Sequence, residues 1–277
     1  MLVNLTSIMK DAIDNNRIIP AFNVFGYEDA KMVIEVAESL NAPAILMTNR
    51  DAVNFMDVKY YGVLFGKMAM ESSVPVCVHL DHGKSKSEIA AAIQANYSSV
   101  MYDGSSLPLE ENIKISKEIN EFCEACNVSF EVEVGCVGYS NPDIKVKEKL
   151  TEPEEVNEMH QKAGVDCIAV AVGNVHKMQE QKGIIDFERL TDIKKLNSVP
   201  LVIHGSTGIS DEQINKMRYY GIGKMNIGTA LRMAFGNTLR DYLQANPDSF
   251  DRIEFVQKPM EEVRKIVEKK YRLLGWG

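Results

Sequence analysis

Short apolar runs alternate with stretches whose apolar residues recur at helical spacing along most of the chain. Eight of these runs have the length and composition of buried strands: residues 18–24, 43–47, 74–80, 98–102, 128–134, 165–172, 199–203 and 224–227. Helices are predicted at residues 4–16, 27–40, 58–71, 87–94, 109–126, 152–163, 187–196, 211–220, 229–245 and 259–273. Eight strands joined by right-handed helical crossovers close most simply into an α/β fold, a (β/α)₈ TIM barrel. We therefore predict one barrel domain over residues 1–277, with extra C-terminal helices that are available for a partner subunit.

Three of the predicted strands run directly into histidine. The run at 74–78 leads into His79-Leu80-Asp81-His82-Gly83, the strand at 165–172 into His176, and the strand at 199–203 into His204. Polar groups at the end of a buried strand are unfavourable unless they meet a ligand, and barrel active sites lie at the carboxyl ends of the strands. The same predicted rim carries Asn23, Asp103, Glu133 and Asn226. An open, doubly wound sheet could not easily gather strands 3, 6 and 7 around one point.

Three imidazoles from separate strands predict a metal site. Taken singly, each would more often be an ordinary buried or exposed histidine, but the chain has only five His and three of them stand at strand ends. Three neutral ligands and one open position are typical of catalytic zinc. Asp81, next to the ligand His82, is suited to proton transfer, which we favour over a role in orienting the ligand.

Two segments near the end of the predicted barrel offer backbone N–H groups and hydroxyls for a phosphate. They are Gly205-Ser206-Thr207-Gly208, after strand 7, and Asn226-Ile227-Gly228-Thr229, at the end of strand 8. Loops after strands 7 and 8 are the usual phosphate sites of such barrels. A Gly-Ser-Thr run is more often an ordinary loop, so its position after His204 carries the prediction.

Composition excludes several classes of partner. A net charge of −8 and a pI near 5.3 argue against nucleic acid or an anionic membrane surface. No apolar run approaches the roughly 18 residues that span a bilayer, and the N-terminus lacks the layout of a signal peptide. We therefore expect a cytoplasmic protein. Its five scattered cysteines are expected to be free thiols.

Together, the motifs resemble the class II (zinc-dependent) ketose-bisphosphate aldolases, which include the fructose- and tagatose-bisphosphate enzymes. The resemblance covers nearly the whole chain and rests on these segments: Ala21-Phe22-Asn23, His79-Leu80-Asp81-His82-Gly83, Val100-Met101-Tyr102-Asp103-Gly104-Ser105, Glu131-Val132-Glu133-Val134-Gly135, Gly173-Asn174-Val175-His176, His204-Gly205-Ser206-Thr207-Gly208 and Lys224-Met225-Asn226-Ile227. It implies reversible cleavage of a ketose 1-phosphate or 1,6-bisphosphate to dihydroxyacetone phosphate and an aldehyde. It also implies a homodimer or higher homo-oligomer.

The resemblance implies a role for each rim residue. Zn²⁺ would be bound by His82, His176 and His204, with Glu133 and Asp103 near a second or resting metal position, and a monovalent cation such as Na⁺ or K⁺ is left open. Asp81 would protonate the aldehyde oxygen in condensation and remove the hydroxyl proton in cleavage, with Asn226 beside it as a catalytic residue. Substrate binding is assigned to Asn23, Thr48, Arg50, Lys177, Gly205, Ser206, Thr207, Asn226, Gly228 and Thr229.

The alternative aldolase chemistry, a lysine Schiff base, is not supported by the sequence. The sixth strand, where barrel aldolases of that class usually carry their lysine, contains none. Lys224 begins its predicted strand, and we expect it at the opposite end of the barrel.

Four positions depart from the family pattern. Asn141 stands where a mobile loop usually places the glutamate that takes the proton from dihydroxyacetone phosphate, so Asp143 or a neighbour substitutes, or the reaction differs. Lys177 follows the second ligand in place of a glycine, and either binds phosphate or faces solvent. Arg252 lies one residue out of register with the tail arginine that binds the distal phosphate.

The fourth departure is the polar segment Thr48-Asn49-Arg50-Asp51, which replaces a small glycine-containing loop. Arg50 and Asp51 could read an aldehyde that carries a carboxylate or a polar chain.

Three functions remain open from the sequence. The leading one is the aldolase, and the second is a relative that uses the same metal chemistry for another outcome, such as epimerisation. The third is a non-catalytic sugar-phosphate-binding subunit, against which the complete ligand set and Asp81 argue. The sequence does not determine the sugar, its stereochemistry, or whether the aldehyde carries a phosphate.

Overall fold

Parallel strands form a closed barrel in the computed structural model, which describes residues 1–140 and 148–277. The barrel strands are β1 (Ile19–Asn23), β2 (Ala44–Thr48), β3 (Val76–Gly83), β4 (Ser99–Tyr102), β5 (Ser129–Val134), β7 (Cys167–Val170), β9 (Leu201–Ile203) and β10 (Ile222–Ile227). They pair in the order β1-β10-β9-β7-β5-β4-β3-β2, so that the last strand closes on the first. The predicted α/β TIM barrel is thus confirmed.

Helices surround the barrel. Over residues 1–140 and 148–277 they are α1 (Thr6–Asp14), α2 (Tyr27–Ser39), α3 (Arg50–Phe55), α4 (Val58–Glu71), α5 (Lys86–Gln94), α6 (Leu109–Ala125), α7 (Pro153–Ala163), α8 (Phe187–Leu196), α9 (Asp211–Met217), α10 (Thr229–Ala245) and α11 (Arg252–Leu273). The barrel strands are covered by these helices on the outside and filled by side chains inside, which explains why they read as continuous apolar runs. None of the helices in the described part of the chain has the length and apolar character that a membrane span requires.

Two helices differ from the sequence prediction. The short α3 was not predicted, and it begins where the Asn49 side chain accepts a hydrogen bond from the Ala52 N–H at 3.1 Å. The last helix begins at Arg252 rather than at Pro259, because Asp251 caps it by accepting from the Ile253 N–H at 2.7 Å. Pro259 therefore lies inside α11 instead of starting it.

One predicted strand is divided. The run at 165–172 forms β7 only to Val170, and the chain then leaves the barrel to form β8 (Val175–His176), which pairs with β6 (Gly138–Tyr139) in a separate two-stranded sheet. The Ser140 N–H extends this pairing by donating to the His176 carbonyl at 3.0 Å. His176 is thus held on a small sheet above the barrel rather than on a barrel strand.

The C-terminal residues are held by buried hydrogen bonds to the residues that directly precede β2 and β1. The Tyr271 hydroxyl donates to the Pro43 carbonyl at 2.9 Å, and the Trp276 indole N–H donates to the Ile18 carbonyl at 2.8 Å. Both side chains are almost fully buried. Helix α11 and the residues after it are therefore an integral part of the barrel's packing.

The sequence predicted apolar residues inside the barrel strands, but the barrel interior is not wholly apolar. His79 on β3, Glu131 on β5 and Lys224 on β10 are all fully buried. Lys224 does not begin its strand as predicted, because β10 starts at Ile222, and its ammonium lies 2.8 Å from Glu131 in the barrel interior. The prediction that Lys224 lies at the opposite end of the barrel is therefore wrong.

Helix α4 approaches α5 so closely that one of its glycines leaves no room for a side chain. A Cβ atom at Gly62 would lie 1.9 Å from the Ala95 carbonyl oxygen, whereas a Cβ at Gly66, one turn later, meets nothing within 4 Å. We expect Gly62→Ala to lower the free energy of unfolding by about 1–3 kcal/mol, because backbone must shift. The matched variant Gly66→Ala should raise it by up to about 1 kcal/mol. Denaturant unfolding of both variants measures the difference, and equal effects would contradict this packing.

Candidate metal centre and active site

A cavity of about 460 Å³ opens at the carboxyl ends of the barrel strands. Most of the predicted site residues line it: Asn23, Arg50, Asp81, His82, Asp103, Glu133, His176, Lys177, Gly205, Ser206, Thr207, Asn226, Gly228 and Thr229. His204 is fully buried and contacts the same group of side chains. The structure thus brings together residues that the sequence predicted from separate strand ends.

Four side chains converge on one point in this region. His82, Glu133, His176 and His204 each offer one ligand atom, and these atoms lie within 4.8 Å of one another. The rings of His82 and His204 have centroids 4.8 Å apart, and those of His82 and His176 are 5.2 Å apart. Glu133 joins the three predicted histidines directly in this cluster.

An irregularity in β3 lets two adjacent residues face the cavity. Neighbours on a regular strand point to opposite faces, yet Asp81 and His82 both line the cavity. The pairing of β3 with β4 shifts register between Leu80 and Gly83, and His82 has a φ of 60°. A left-handed backbone is unfavourable for a residue other than glycine, so the fold maintains local strain at a predicted ligand.

Asp103 lies beside the four converging side chains rather than among them, and it holds His82. Its Oδ2 lies 2.9 Å from His82 Nδ1 and 2.6 Å from the Lys84 ammonium. A carboxylate only accepts, so His82 carries its proton on Nδ1 and directs Nε2 toward the cluster. Burial raises the pKa of Asp103, but His82 and Lys84 together hold it well below its usual range.

His204 is oriented in a similar way from inside the barrel. Its Nε2 lies 3.0 Å from Glu131 Oε1, and its Nδ1 lies 3.6 Å from Glu133 Oε2. Glu131 was not predicted to take part, although the Glu-x-Glu spacing on a strand places both carboxylates on one face. His176 is packed differently, since its ring lies 4.8 Å from the Tyr139 ring at an interplanar angle of 30°.

Several buried polar atoms at this point have no hydrogen-bond partner among the described residues. Two are in the cluster, His204 Nδ1 and Glu133 Oε2, and two belong to the neighbouring amides, Asn23 Oδ1 and Asn226 Oδ1. Buried polar atoms without a partner are unfavourable, and a bound metal ion and substrate would satisfy these four. Three imidazoles and a carboxylate fit a divalent transition metal.

The charges of the cluster are unevenly distributed without a cation. Burial disfavours the charged ring of His82, but Asp81 and Asp103 raise its pKa to about 9. Burial lowers the pKa of His176 and of His204 well below the usual value, and the charge of His82 lowers both further. Burial and the nearby Asp103 raise the pKa of Glu133 to about 7. A proton on His82 and a metal ion at the cluster therefore compete with each other, because the same carboxylates stabilise both positive charges.

Asp81 is held by two amides beside the cluster. Asn226 Nδ2 donates to its Oδ1 at 3.0 Å, Asn23 Nδ2 lies 3.3 Å from its Oδ2, and its Oδ1 lies 3.8 Å from His82 Nε2. Both amides thus present their carbonyl oxygens elsewhere in the buried site. This geometry fixes the Asp81 carboxylate close to the four converging side chains without making it one of the candidate metal ligands.

The predicted phosphate segment is tightly built. Gly205 has a φ of 64°, and a Cβ atom there would lie 2.5 Å from the Val175 carbonyl, so only glycine fits. The Ser206 hydroxyl donates to the Asn226 carbonyl at 2.6 Å and so ties this turn to β10. The Ser206 hydroxyl is therefore used in a hydrogen bond within the fold, whereas Thr207 lines the cavity and has no such bond among the described residues.

Thr48 is the one predicted substrate-binding residue that the structure does not bring to the cavity. Its side chain is fully buried, and its hydroxyl lies 2.8 Å from the Tyr97 hydroxyl. As the last residue of β2 it points into the packing behind the rim. Asn141 and Asp143 lie outside the described residues.

Sequence reasoning missed several charged and polar cavity residues. Asn49, Asn54, Lys84, Ser105, Tyr139 and Arg232 also line the cavity. Arg232 NH1 lies 3.2 Å from Asp51 Oδ2, and the Lys177 ammonium lies 4.0 Å from the same oxygen. Sequence signals exist for three of them: Asn49 lies in the polar segment after strand 2, Ser105 follows Asp103, and Arg232 comes one turn after Thr229.

Arg252 lies at a neighbouring cavity of about 340 Å³ rather than in the first one. The two cavities share Asn23 and Arg232 as lining residues. The predicted tail arginine is thus near the site but separated from it by this shared wall.

The fold and this cluster define a TIM-barrel enzyme with a candidate metal centre. The model of the family described as class-II fructose-bisphosphate aldolase matches residues 3–276, and the chain belongs to that family. It is therefore a class II aldolase, a carbon–carbon lyase.

Solved structures of other aldolases are similar over the full length. The YdjI aldolase from Escherichia coli K12 is 29% identical with a TM-score of 0.87, and the match covers 100% of this chain and 98% of that one. A putative fructose-1,6-bisphosphate aldolase from Coccidioides immitis is 25% identical with a TM-score of 0.86, covering 97% and 94%. The fructose-bisphosphate aldolase from Campylobacter jejuni is 25% identical with a TM-score of 0.84, covering 99% and 95%.

Metal binding should depend on pH because the metal must displace the proton of His82. With a pKa of about 9 for His82 and about 7 for Glu133, the apparent affinity should rise with pH and level off above about 9. Between these values the expected slope is about tenfold per pH unit. Chelator competition at several pH values measures it, with His160→Asn on α7 as a control that leaves the profile unchanged. An affinity that is constant from pH 7 to 9 would contradict the assignment.

Proposed function

We propose that this chain is a zinc-dependent aldolase that reversibly cleaves a ketose 1-phosphate or ketose 1,6-bisphosphate to dihydroxyacetone phosphate and an aldehyde. The observation that carries the proposal is the buried cluster of His82, Glu133, His176 and His204 with Asp81 beside it. A zinc ion bound there would act as a Lewis acid and stabilise the negative charge that develops on the three-carbon fragment.

Asp81 is the group that moves the proton of the aldehyde-side oxygen. Its carboxylate is restrained by the amides of Asn23 and Asn226, and it lies near the cluster without belonging to it. In cleavage it accepts the hydroxyl proton, and in condensation it returns that proton to the aldehyde oxygen. The unpartnered carbonyl oxygens of the two asparagines then accept hydrogen bonds from substrate hydroxyls.

Dihydroxyacetone phosphate binds with its phosphate between the ends of β9 and β10. Gly205, Thr207 and Gly228 line the cavity there, and α10 begins at Thr229. Free N–H groups at a helix N-terminus bind a phosphate by hydrogen bonding and by the helix dipole. The Ser206 side chain supports this turn rather than binding the phosphate itself.

The aldehyde end of the substrate lies toward α3 and α10. Arg50, Lys177 and Arg232 supply positive charge at this side of the cavity, and Asp51 pairs with Arg232 and approaches Lys177. A planar arginine suits a carboxylate or a polyol chain as well as a phosphate. These side chains support an aldehyde whose distal group differs from that of the usual family substrates.

The assembly is proposed to be a homodimer or higher homo-oligomer in the cytoplasm. Helix α10 buries only Leu231 among its 17 residues, and Phe250 and Ile253 beyond it are 92% and 65% exposed. Phe250 lies in the connection to α11 and Ile253 in the first turn of α11, and exposed large apolar side chains of this kind would be covered by a partner subunit.

Solvent exchange of the C3 proton of dihydroxyacetone phosphate tests the function without any assumption about the aldehyde. Zinc-loaded protein should exchange this proton, and a chelator should abolish the exchange. Asp81→Asn should keep the exchange but lower carbon–carbon cleavage by about 10²–10⁴-fold, because it removes only the acid–base group on the aldehyde side. Mass spectrometry of the recovered dihydroxyacetone phosphate measures the exchange.

The other outcomes identify the alternatives. Exchange without aldehyde formation from any ketose phosphate would favour an epimerase-like relative. Zinc and dihydroxyacetone phosphate binding without exchange would favour a sugar-phosphate-binding subunit that lacks a base.

Arg50→Ala tests the aldehyde side alone. We expect a KM for the aldehyde that is about tenfold higher, the equivalent of one lost charged hydrogen bond, and an unchanged KM for dihydroxyacetone phosphate. Lys59→Ala, which removes a charge of exposed α4 outside the cavity, serves as the control. Steady-state kinetics of the condensation measure both KM values, and no change in either would contradict the role of Arg50.

A further inference from the structure

A layer of polar side chains crosses the barrel directly beneath the metal cluster. His79, Glu131, His204 and Lys224 each have no exposed surface. Lys224 Nζ lies 2.8 Å from Glu131 Oε2 and 3.5 Å from His79 Nε2, and Glu131 Oε1 lies 3.0 Å from His204 Nε2. The Ser99 hydroxyl closes the row at 2.8 Å from His79 Nδ1.

The same arrangement occurs twice around the cluster. His82 is bound by Asp103, and Asp103 is paired with Lys84, just as His204 is bound by Glu131 and Glu131 with Lys224. The two lysines differ in surroundings, because the Lys84 side chain is 37% exposed and that of Lys224 is fully buried. Two of the three imidazoles are thus each held by a carboxylate that a lysine holds in turn.

A buried ion pair in the middle of a barrel is not explained by stability. Removing two charges from water costs several kcal/mol per ion, and apolar residues of similar volume often give an equal or more stable fold. A TIM barrel usually fills this layer with branched apolar side chains. The Lys224–Glu131 pair therefore needs a reason other than the fold.

The position of the pair supplies one. Glu131 precedes Glu133 by two residues on β5, so both carboxylates point into the barrel, one under the other. The upper carboxylate belongs to the metal cluster, and the lower one accepts from His204 Nε2. With the proton of His204 fixed on Nε2, the lone pair of Nδ1 faces the cluster, where the described residues offer it no partner.

We propose that Lys224 and Glu131 are positioning residues that hold His204 in the one tautomer and ring orientation able to bind the metal. Lys224 acts through Glu131, by fixing the carboxylate oxygen that His204 does not use, and His79 packs behind the lysine. The inference rests on the metal of the proposed function, but not on the substrate or the reaction.

The decisive variant replaces the pair by apolar residues of similar size, Glu131→Leu with Lys224→Met. The metal-free double variant should unfold at a denaturant midpoint equal to or above that of the wild type, because no charge is left buried and alone. Its affinity for Zn²⁺ should nevertheless fall about 10–100-fold, the usual effect of losing a partner of a metal-bound histidine. The absorption spectrum of bound Co²⁺ should also change, since one ligand is no longer held in place.

Four further variants complete the design. Glu131→Met with Lys224→Leu, a second apolar pair that leaves His204 Nε2 without an acceptor, carries the test if the first pair does not fold. Lys84→Met should weaken metal binding less than Lys224→Met, because water reaches Lys84. Tyr271→Phe removes a buried hydrogen bond far from the cluster and should leave metal affinity and the Co²⁺ spectrum as in the wild type.

Each outcome decides the question. Wild-type Zn²⁺ affinity and a wild-type Co²⁺ spectrum in a folded double variant would overturn the inference alone. Failure of both double variants to fold would overturn it too, because the pair would then serve the fold. A wild-type protein that binds no metal would overturn the proposed function together with this inference.

Discussion

The convergence of His82, Glu133, His176 and His204 on one buried point is the constraint on which the rest of the structure depends. Lone pairs that face one another in a buried site are unfavourable until a cation joins them, since each unsatisfied buried group costs about 1–3 kcal/mol. The chain accepts this at the same place where it holds His82 at a φ of 60°. These features lower the free energy of unfolding of the free protein, and a bound ligand would raise it again, which is typical of a functional site.

Support for the cluster extends well beyond the ligands. Asp103 and Glu131 orient two of the imidazoles from opposite sides, one at the cavity and one from within the barrel. The third imidazole, His176, packs on the ring of Tyr139 across the small β6–β8 sheet. Because each partner comes from a different strand or loop, the geometry of the cluster depends on how the whole barrel is packed and not on one motif.

The two ends of the cavity leave different freedom for substitution. At the end that holds the four-residue cluster, the physical roles leave little freedom: only glycine fits at 205, and the two oxygens of Asp81 accept one hydrogen bond from each of two amides. The opposite end carries Asp51, Lys177 and Arg232, which are partly exposed and loosely paired. Exposed charges tolerate substitution, so specificity can diverge there without loss of the fold.

The sequence by itself determined the barrel and the membership of its rim, because eight apolar runs separated by helical patterns admit few closures and parallel strand ends must meet on one face. It could not determine side-chain direction. The bulge that turns both Asp81 and His82 inward, the reach of Lys224 to Glu131, and the burial of Thr48 against Tyr97 were decided only by the tertiary structure. The periodicity of the sequence indicates which residues end a strand. The contacts of each side chain depend also on bulges and on the stagger of strands across the barrel, and these are set by packing over the whole chain.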